Sequence, residues 1–422
     1  MIKKITFILS ILIFSYSFSQ KNYSSIYSRY GIGELAPKGY GNNIAMGFTG
    51  IAYRDKNYLN EKNVASYTAF DTMTVIFNFG VNGKYSNVVS PNVNESHYYA
   101  NISNISIGFP ITKWYYAGVG MRPYSSTNYS ITNITELNDS EDNLITETTQ
   151  NYTGEGNINQ FYISQAFKLT KKLSIGAHIS YLYGNIVNTT TLTFPSSFGA
   201  NNMFKENKTY INDFYFDFAA QYYTKLSDDY KITLGVTYDM QKNIASQTST
   251  TVQSYKGSSS TYNDTLEIGN TAKNNLTLPM AIGGGIGIQY KKRYNFMVDY
   301  SFTNWKSAQF FEEVEVNNSS KINVGLEILP QSNSLKYMNL IRYRIGGYYK
   351  KSYVIVDNNQ IQDFGITFGF GMPIRKTGTS FNFAFVLGRM GVPNNTLVTE
   401  NYAGFNLSIS FMDKWFYQRK FD

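Results

Sequence analysis

From Thr72 to the end of the chain one pattern recurs: segments of ten or more residues in which apolar and polar side chains alternate, divided by turn formers. Phe214, Phe216 and Phe218 alternate with Tyr215, Asp217 and Ala219. Ile232, Leu234, Val236 and Tyr238 alternate with Thr233, Gly235, Thr237 and Asp239. Phe381, Phe383, Phe385 and Leu387 form a further row, and Phe405, Leu407, Ile409 and Phe411 alternate with Asn406, Ser408 and Ser410. Successive strand side chains point to opposite faces, so each segment has one apolar face and one polar or small face. A water-soluble sandwich alternates as well, so strand length decides between the two. Soluble strands cluster near about five or six residues, whereas a tilted membrane strand needs about 9–11.

Strands are expected over 72–85, 94–109, 114–133, 157–168, 172–190, 206–224, 229–248, 273–290, 294–304, 319–329, 337–350, 360–372, 379–388 and 401–411. The connections test this reading independently. The odd-numbered ones include 134–156, 191–205, 249–272, 305–318 and 389–400. The even-numbered ones are the short Pro110–Lys113, Thr170–Lys171, Ser227–Asp228, Lys291–Arg293, Pro330–Lys336 and Pro373–Gly378. Short and long alternate, as in outer-membrane barrels with short periplasmic turns and long external loops. The fold expected is therefore an all-β, transmembrane, antiparallel up-and-down barrel of about fourteen strands, with both ends in the periplasm.

Composition agrees. Aromatic residues make up 17% of the chain, with 37 Tyr and 30 Phe, yet hydrophobic residues total only 42%. Beyond the first twenty residues no apolar run reaches the roughly 20 residues that a membrane helix needs. Cysteine is absent, which excludes disulfide frameworks, thiolate metal sites, cysteine nucleophiles and a lipidated N-terminus.

The N-terminus reads as a secretory signal. Lys3 and Lys4 precede the apolar stretch Ile5 to Phe14, and Ser17 and Ser19 are small residues where a signal peptidase reads. Residues 1–19 are expected to be removed, which lowers the formal charge from +8 to +6. The barrel is then expected over 72–411 and a periplasmic tail over 412–422. In that tail Trp415, Phe416 and Tyr417 suit a membrane interface, and Phe411 supplies the terminal aromatic of the last strand. The short turns are basic at Lys171–Lys172 and Lys291–Arg293, and Lys414, Arg419 and Lys420 add to that rim. Such a rim suits anionic lipid headgroups, an acidic partner or plain solvation.

Residues 20–71 alternate poorly and are rich in Gly, Tyr and Asn. The stretch is too long for a linker, and a fourteen-stranded barrel is wide enough to need filling. We expect it inside the barrel as a plug. Two of its motifs, "AMGFTGIA" at 45–52 and "NVASY" at 63–67, followed by about fourteen strands, resemble the FadL/TodX-type outer-membrane transport family. In that family an Asn-Pro-Ala motif follows a Met-Gly-Gly segment, and both belong to the N-terminal hatch. Asn63 and Ala65 match the first motif, Val64 replaces its proline, and Phe48 stands where the second glycine is common. The resemblance implies entry of hydrophobic ligands from outside, passage of the hatch and lateral exit through a kinked strand. On that basis Arg29, Tyr30, Phe48, Asn63, Ala65 and Tyr67 are the candidate plug or ligand-path residues. Gly283, Gly284 and Gly285, near Pro279, are the candidate kink, or else a packing accommodation for the plug.

Catalytic and metal chemistry is scarce. His178 and Ser180 share one strand face, as in outer-membrane phospholipases, but Leu173, Ile175, Ala177 and Ile179 form the apolar row, so the pair points into the lumen. Asp139–Asp142 and Glu312–Glu313 fall in external loops and read as solvated charge. No metal, cofactor, enzymatic activity or nucleic-acid partner is expected. Two functions remain: passive uptake of small hydrophobic molecules, narrowly preferred, and an accessory subunit of a larger outer-membrane secretion or assembly complex. In both the barrel sits among outer-membrane lipid of a Gram-negative cell.

Overall fold

The computed structural model describes residues 25–90, 94–138, 145–195, 200–256, 264–268, 272–311, 314–331, 334–375, 377–392 and 398–415. The expected signal peptide lies outside these residues, as do Asp139–Asp142, Glu312–Glu313, and Phe416 with the rest of the tail.

The chain forms a closed barrel of 14 antiparallel strands. They are Thr74–Val89, Asn94–Pro110, Tyr115–Ser126 continued by Tyr129–Asn138, Ile145–Lys168, Leu173–Thr193, Asn202–Lys225 and Tyr230–Asp239 continued by Lys242–Tyr255. The eighth is built from Asp264–Ile268, Ala272–Leu278 and Ala281–Tyr290. Tyr294–Thr303, Ser319–Ile328, Arg342–Val356, Asn359–Pro373, Ser380–Gly391 and Thr399–Lys414 complete the wall. The fourteenth strand pairs with the first along its length, Thr399 opposite Val89 and Lys414 opposite Thr74.

Alternation sorts the side chains as the pattern requires. Phe214, Phe218, Leu234, Val236, Phe381, Leu387, Phe405 and Phe411 lie exposed on the outside, while Asp217, Asn406, Ser408 and Ser410 are buried. An apolar belt around a polar lumen is stable only with lipid against the belt, so the barrel is a membrane barrel.

The strand bounds differ from expectation mainly at the long-loop rim. Much of the expected loop 134–156 is strand: Tyr129–Asn138 pairs with 145–154. Likewise Ser249–Tyr255 pairs with 202–208. These stretches are rich in Thr, Ser and Asn on both faces, so they continue the hydrogen-bonded ladder without an amphipathic signal. At Asp357–Asn358 the long-loop rim carries a tight turn, with φ of 47° and 60°. The last strand runs three residues past Phe411, to Lys414, so the tail begins later than expected.

The expected kink is also displaced. Gly283, Gly284 and Gly285 sit in a ladder that runs unbroken from Ala281 to Tyr290 on both sides. The discontinuity comes just before, at Pro279–Met280, where proline cannot donate to the ladder, and it faces a matching break at Met240–Gln241.

Residues 25–71 occupy the interior. Ser25–Leu35 lies in the long-loop half, with Glu34 opposite Ser126 of the third strand, and the segment then descends to enter the first strand at Thr74. The first described residues thus lie away from the short-turn end, and the N-terminus itself, expected in the periplasm, lies outside the described residues.

Candidate functional site

The interior segment is stitched to the wall by charge. Glu34 pairs with Lys84 at 3.3 Å, Lys38 with Asp239 at 2.9 Å, and Asp55 with Arg342 at 2.8 Å. Lys62 lies 3.5 Å from Asp299, and Glu61 pairs with Arg122. The wall partners belong to the first, seventh, eleventh, ninth and third strands, so the ties encircle the segment. Burial pushes the Asp55 carboxyl up, but Arg342 and the Asn57 N–H outweigh it and hold it below the usual value. Burial likewise lowers the Lys62 ammonium, and Asp299 only partly restores it.

The two motifs meet the wall through backbone. Gly47 and Phe48 both take positive φ, 65° and 62°, in the turn that brings Gly50 and Ile51 to the wall. There Asp299 accepts the N–H of Gly50 at 2.7 Å and of Ile51 at 3.0 Å, and Thr367 Oγ1 accepts the Gly47 N–H at 2.7 Å. Wall glycines allow this approach: a Cβ on Gly285 would stand 2.8 Å from Ile51 Cβ and 3.0 Å from the Ala52 nitrogen. Gly283 and Gly285 therefore make room for the plug, while Gly284 between them faces outward. Asn63 opens a 3-10 turn, Val64–Ala69, by accepting from the Ala65 N–H at 3.2 Å. Its amide donates to the Ile51 carbonyl at 2.8 Å and to the Ala220 carbonyl of the wall at 3.1 Å.

Above this layer lies a cavity of 430 Å³, lined by Ile44, Phe48, Tyr348, Val386 and Tyr402, and also by Lys62, Lys84, Lys321, Lys350 and Asp363. Lys321 rests over the Phe48 ring at 4.4 Å. Toward the long-loop rim the cavity meets a packed cluster in which Trp305 stacks on Tyr353 at 4.1 Å, joined by Tyr27 and Ile32. Toward the short-turn rim Tyr40, Leu59, Val64, Tyr67, Phe70 and Ile76 pack into a floor.

The six candidate residues are not gathered at one site. Phe48 lines the cavity. Asn63 and Ala65 hold the turn beneath it, and Tyr67 stacks on Phe70 in the floor at 5.1 Å. Arg29 lies over the Tyr152 ring at 4.2 Å, and the Tyr30 carbonyl accepts from Tyr353 at 3.0 Å, both in the long-loop half. Lys84, Lys321, Asp299 and Arg122 were not singled out in the sequence. The signal was there, since each is a charge on the polar face of a strand and needs a partner in the lumen.

His178 does face inward, but its Nδ1 meets Ser164 at 2.9 Å and its Nε2 meets the Glu61 carbonyl at 3.2 Å. Ser180 accepts from Gln160 at 2.7 Å, so the histidine does not address the serine. Among the described residues no three His, Asp or Glu side chains are placed to hold a metal ion.

The fold is similar to a FadL homologue of Pseudomonas aeruginosa, with TM-score 0.61 and 12% identity over 92% of this chain and 100% of that one. It is similar to the toluene transporter TodX of P. putida, with TM-score 0.59 and 14% identity over 91% and 100%. It is also similar to the toluene transporter TbuX of Ralstonia pickettii, with TM-score 0.58 and 14% identity over 89% and 98%. The resemblance read from the two motifs thus holds at the level of fold. No curated protein matches the sequence. A family model, BamG, matches residues 1–422, the whole of the chain, and the protein belongs to the BamG family.

Proposed function

We propose that this barrel is a plugged, non-transporting accessory subunit of a larger outer-membrane secretion or assembly complex. One observation supports this above the others: five charges of the interior segment, Glu34, Lys38, Asp55, Glu61 and Lys62, each meet a charge of the wall. Withdrawing the segment would strand the fully buried Asp299 and the buried Arg122. Breaking a buried pair costs about 3–5 kcal/mol, so a hatch that opens at each turnover is a poor fit. In this reading residues 1–19 direct export and are cleaved. The barrel sits among outer-membrane lipid of a Gram-negative cell, the short turns face the periplasm, and the segment from residue 20 to 71 acts as a permanent plug.

A second reading, passive uptake of small hydrophobic molecules, is favoured by the cavity over Phe48 and Ile44. It is favoured too by the likeness to barrels described as toluene transporters. There Arg29, Tyr30 and Phe48 would lie along the ligand path, with Asn63, Ala65 and Tyr67 in the hatch.

A pull-down of the full-length barrel from outer membranes in mild detergent, followed by mass spectrometry, separates the two. A large outer-membrane protein recovered in stoichiometric amount supports the accessory role. The barrel recovered alone, with a small apolar molecule in its cavity, sinks it.

A further inference from the structure

At the short-turn rim the lumen ends in a groove of 600 Å³ built from the connection Thr68–Met73 and from Lys113, Tyr116, Lys168 and Lys414. The three lysines come from different places: the turn after the second strand, the end of the fourth and the end of the fourteenth. Lys168 continues the inward row of buried Ser164 and Ala166, and Lys414 continues that of Ser408 and Ser410, so both ammonium groups border the lumen mouth. Among the described residues none of the three has a carboxylate within 4.0 Å. The one acid of the groove, Asp71, is engaged by Lys56 at 2.8 Å. Phe70 and Tyr116 form an apolar floor, their rings meeting edge-on at 6.4 Å.

Among the described residues these three cations have no carboxylate partner, and like charges set around a concavity focus a positive potential there. Two of the groove's three cations, Lys168 and Lys414, continue inward-facing rows, on the side of their strands away from the lipid. That geometry suits an incoming chain better than a headgroup anchored in the bilayer. We propose that this groove receives an extended acidic segment of a periplasmic protein, its carboxylates on Lys113, Lys168 and Lys414. The proposal rests on the accessory reading and names the docking point within it.

The test uses the full-length barrel in phosphatidylcholine nanodiscs and a fluorescein-labelled hexaglutamate peptide as probe, read by anisotropy across a salt series. The wild type is expected to bind, more weakly as salt rises. The variant Lys113→Glu/Lys168→Glu/Lys414→Glu should lose about tenfold or more, and the glutamine triple should fall between the two. The control Lys291→Glu/Lys292→Glu/Arg293→Glu, on another turn of the same rim, should stay within about twofold of wild type. Heat-modifiable gel migration establishes that each variant folds. Equal affinity in the groove variant and wild type overturns the proposal. So does a wild type that ignores the peptide but retains phosphatidylglycerol through these lysines. In the membrane pull-down, a partner kept by the groove variant overturns the groove alone, whereas no partner on the wild type overturns the accessory reading.

Discussion

Asp299, in the middle of the ninth strand, accepts the backbone N–H of Gly50 at 2.7 Å, 249 residues away in sequence. It takes the Ile51 N–H as well and neutralises Lys62 at 3.5 Å. One fully buried carboxylate thus satisfies two backbone donors and a cation of the plug. Asp299→Ala should destabilise the plugged state by about 3 kcal/mol, because it leaves Lys62 buried without its counter-charge. Limited proteolysis of the folded barrel should then cut between residues 40 and 60, where the wild type resists. Unchanged protection would mean that the plug is held elsewhere.

Gly284 and Gly285 are neighbours with opposite roles. A Cβ on Gly284 meets nothing within 4 Å, since it points to the lipid, whereas one on Gly285 collides with Ile51 and Asp299. Gly284→Ala should therefore be neutral in thermal unfolding. Gly285→Ala should cost about 1–3 kcal/mol as the plug is pushed from the wall. Equal effects at the two positions would contradict a close-packed plug.

Asn63 ties the two plug motifs to each other and to the wall. Asn63→Ala removes its bonds to Ile51, Ala65 and Ala220, and the Ile51 and Ala220 carbonyls it served lose a donor. A loss of about 2 kcal/mol is expected. Val64→Pro, which restores the more common motif, should be tolerated. Val64 is the first residue of the 3-10 turn, where proline's missing N–H costs little, and Asn63 already holds the extended backbone a following proline requires, φ −146° and ψ 96°. Urea unfolding of the two variants side by side checks both expectations.

The barrel was legible because its information is local. Rows such as Phe405, Leu407, Ile409 and Phe411 declare the lipid face without reference to any other strand. Strand ends beyond the membrane were not legible, because Thr132 opposite Asn151 needs no apolar face to pair. The lumen was half legible. Asp299 within Phe296–Phe302 and Arg122 within 118–126 could be seen to need partners. Which plug residue answers each depends on how residues 25–71 fold back through the barrel, and no periodicity encodes that path. Gly283–Gly285 shows the limit most clearly: a glycine run in a strand signals a bend or a close approach, and only the position of Ile51 and Ala52 decides for the approach.

The floor of the lumen offers a direct measure of sealing. Phe70 and Tyr67 stack at 5.1 Å and pack with Leu59 and Ile76, which puts buried apolar side chains between the cavity and the short-turn groove. If the plug is permanent, the wild-type barrel in a planar bilayer should carry no measurable current. Phe70→Ala removes a buried ring at a cost of about 3–5 kcal/mol. The gap it leaves borders the open groove, where water can enter from the rim. Phe70→Ala combined with Tyr67→Ala should then admit small ions and raise the susceptibility of cells to bulky antibiotics that the outer membrane excludes. The polar wall behind the floor, where Thr68 meets Ser174 at 2.6 Å, gives that water its partners. A wild type that conducts as the double variant does would move the seal away from Phe70 and restore the transport reading.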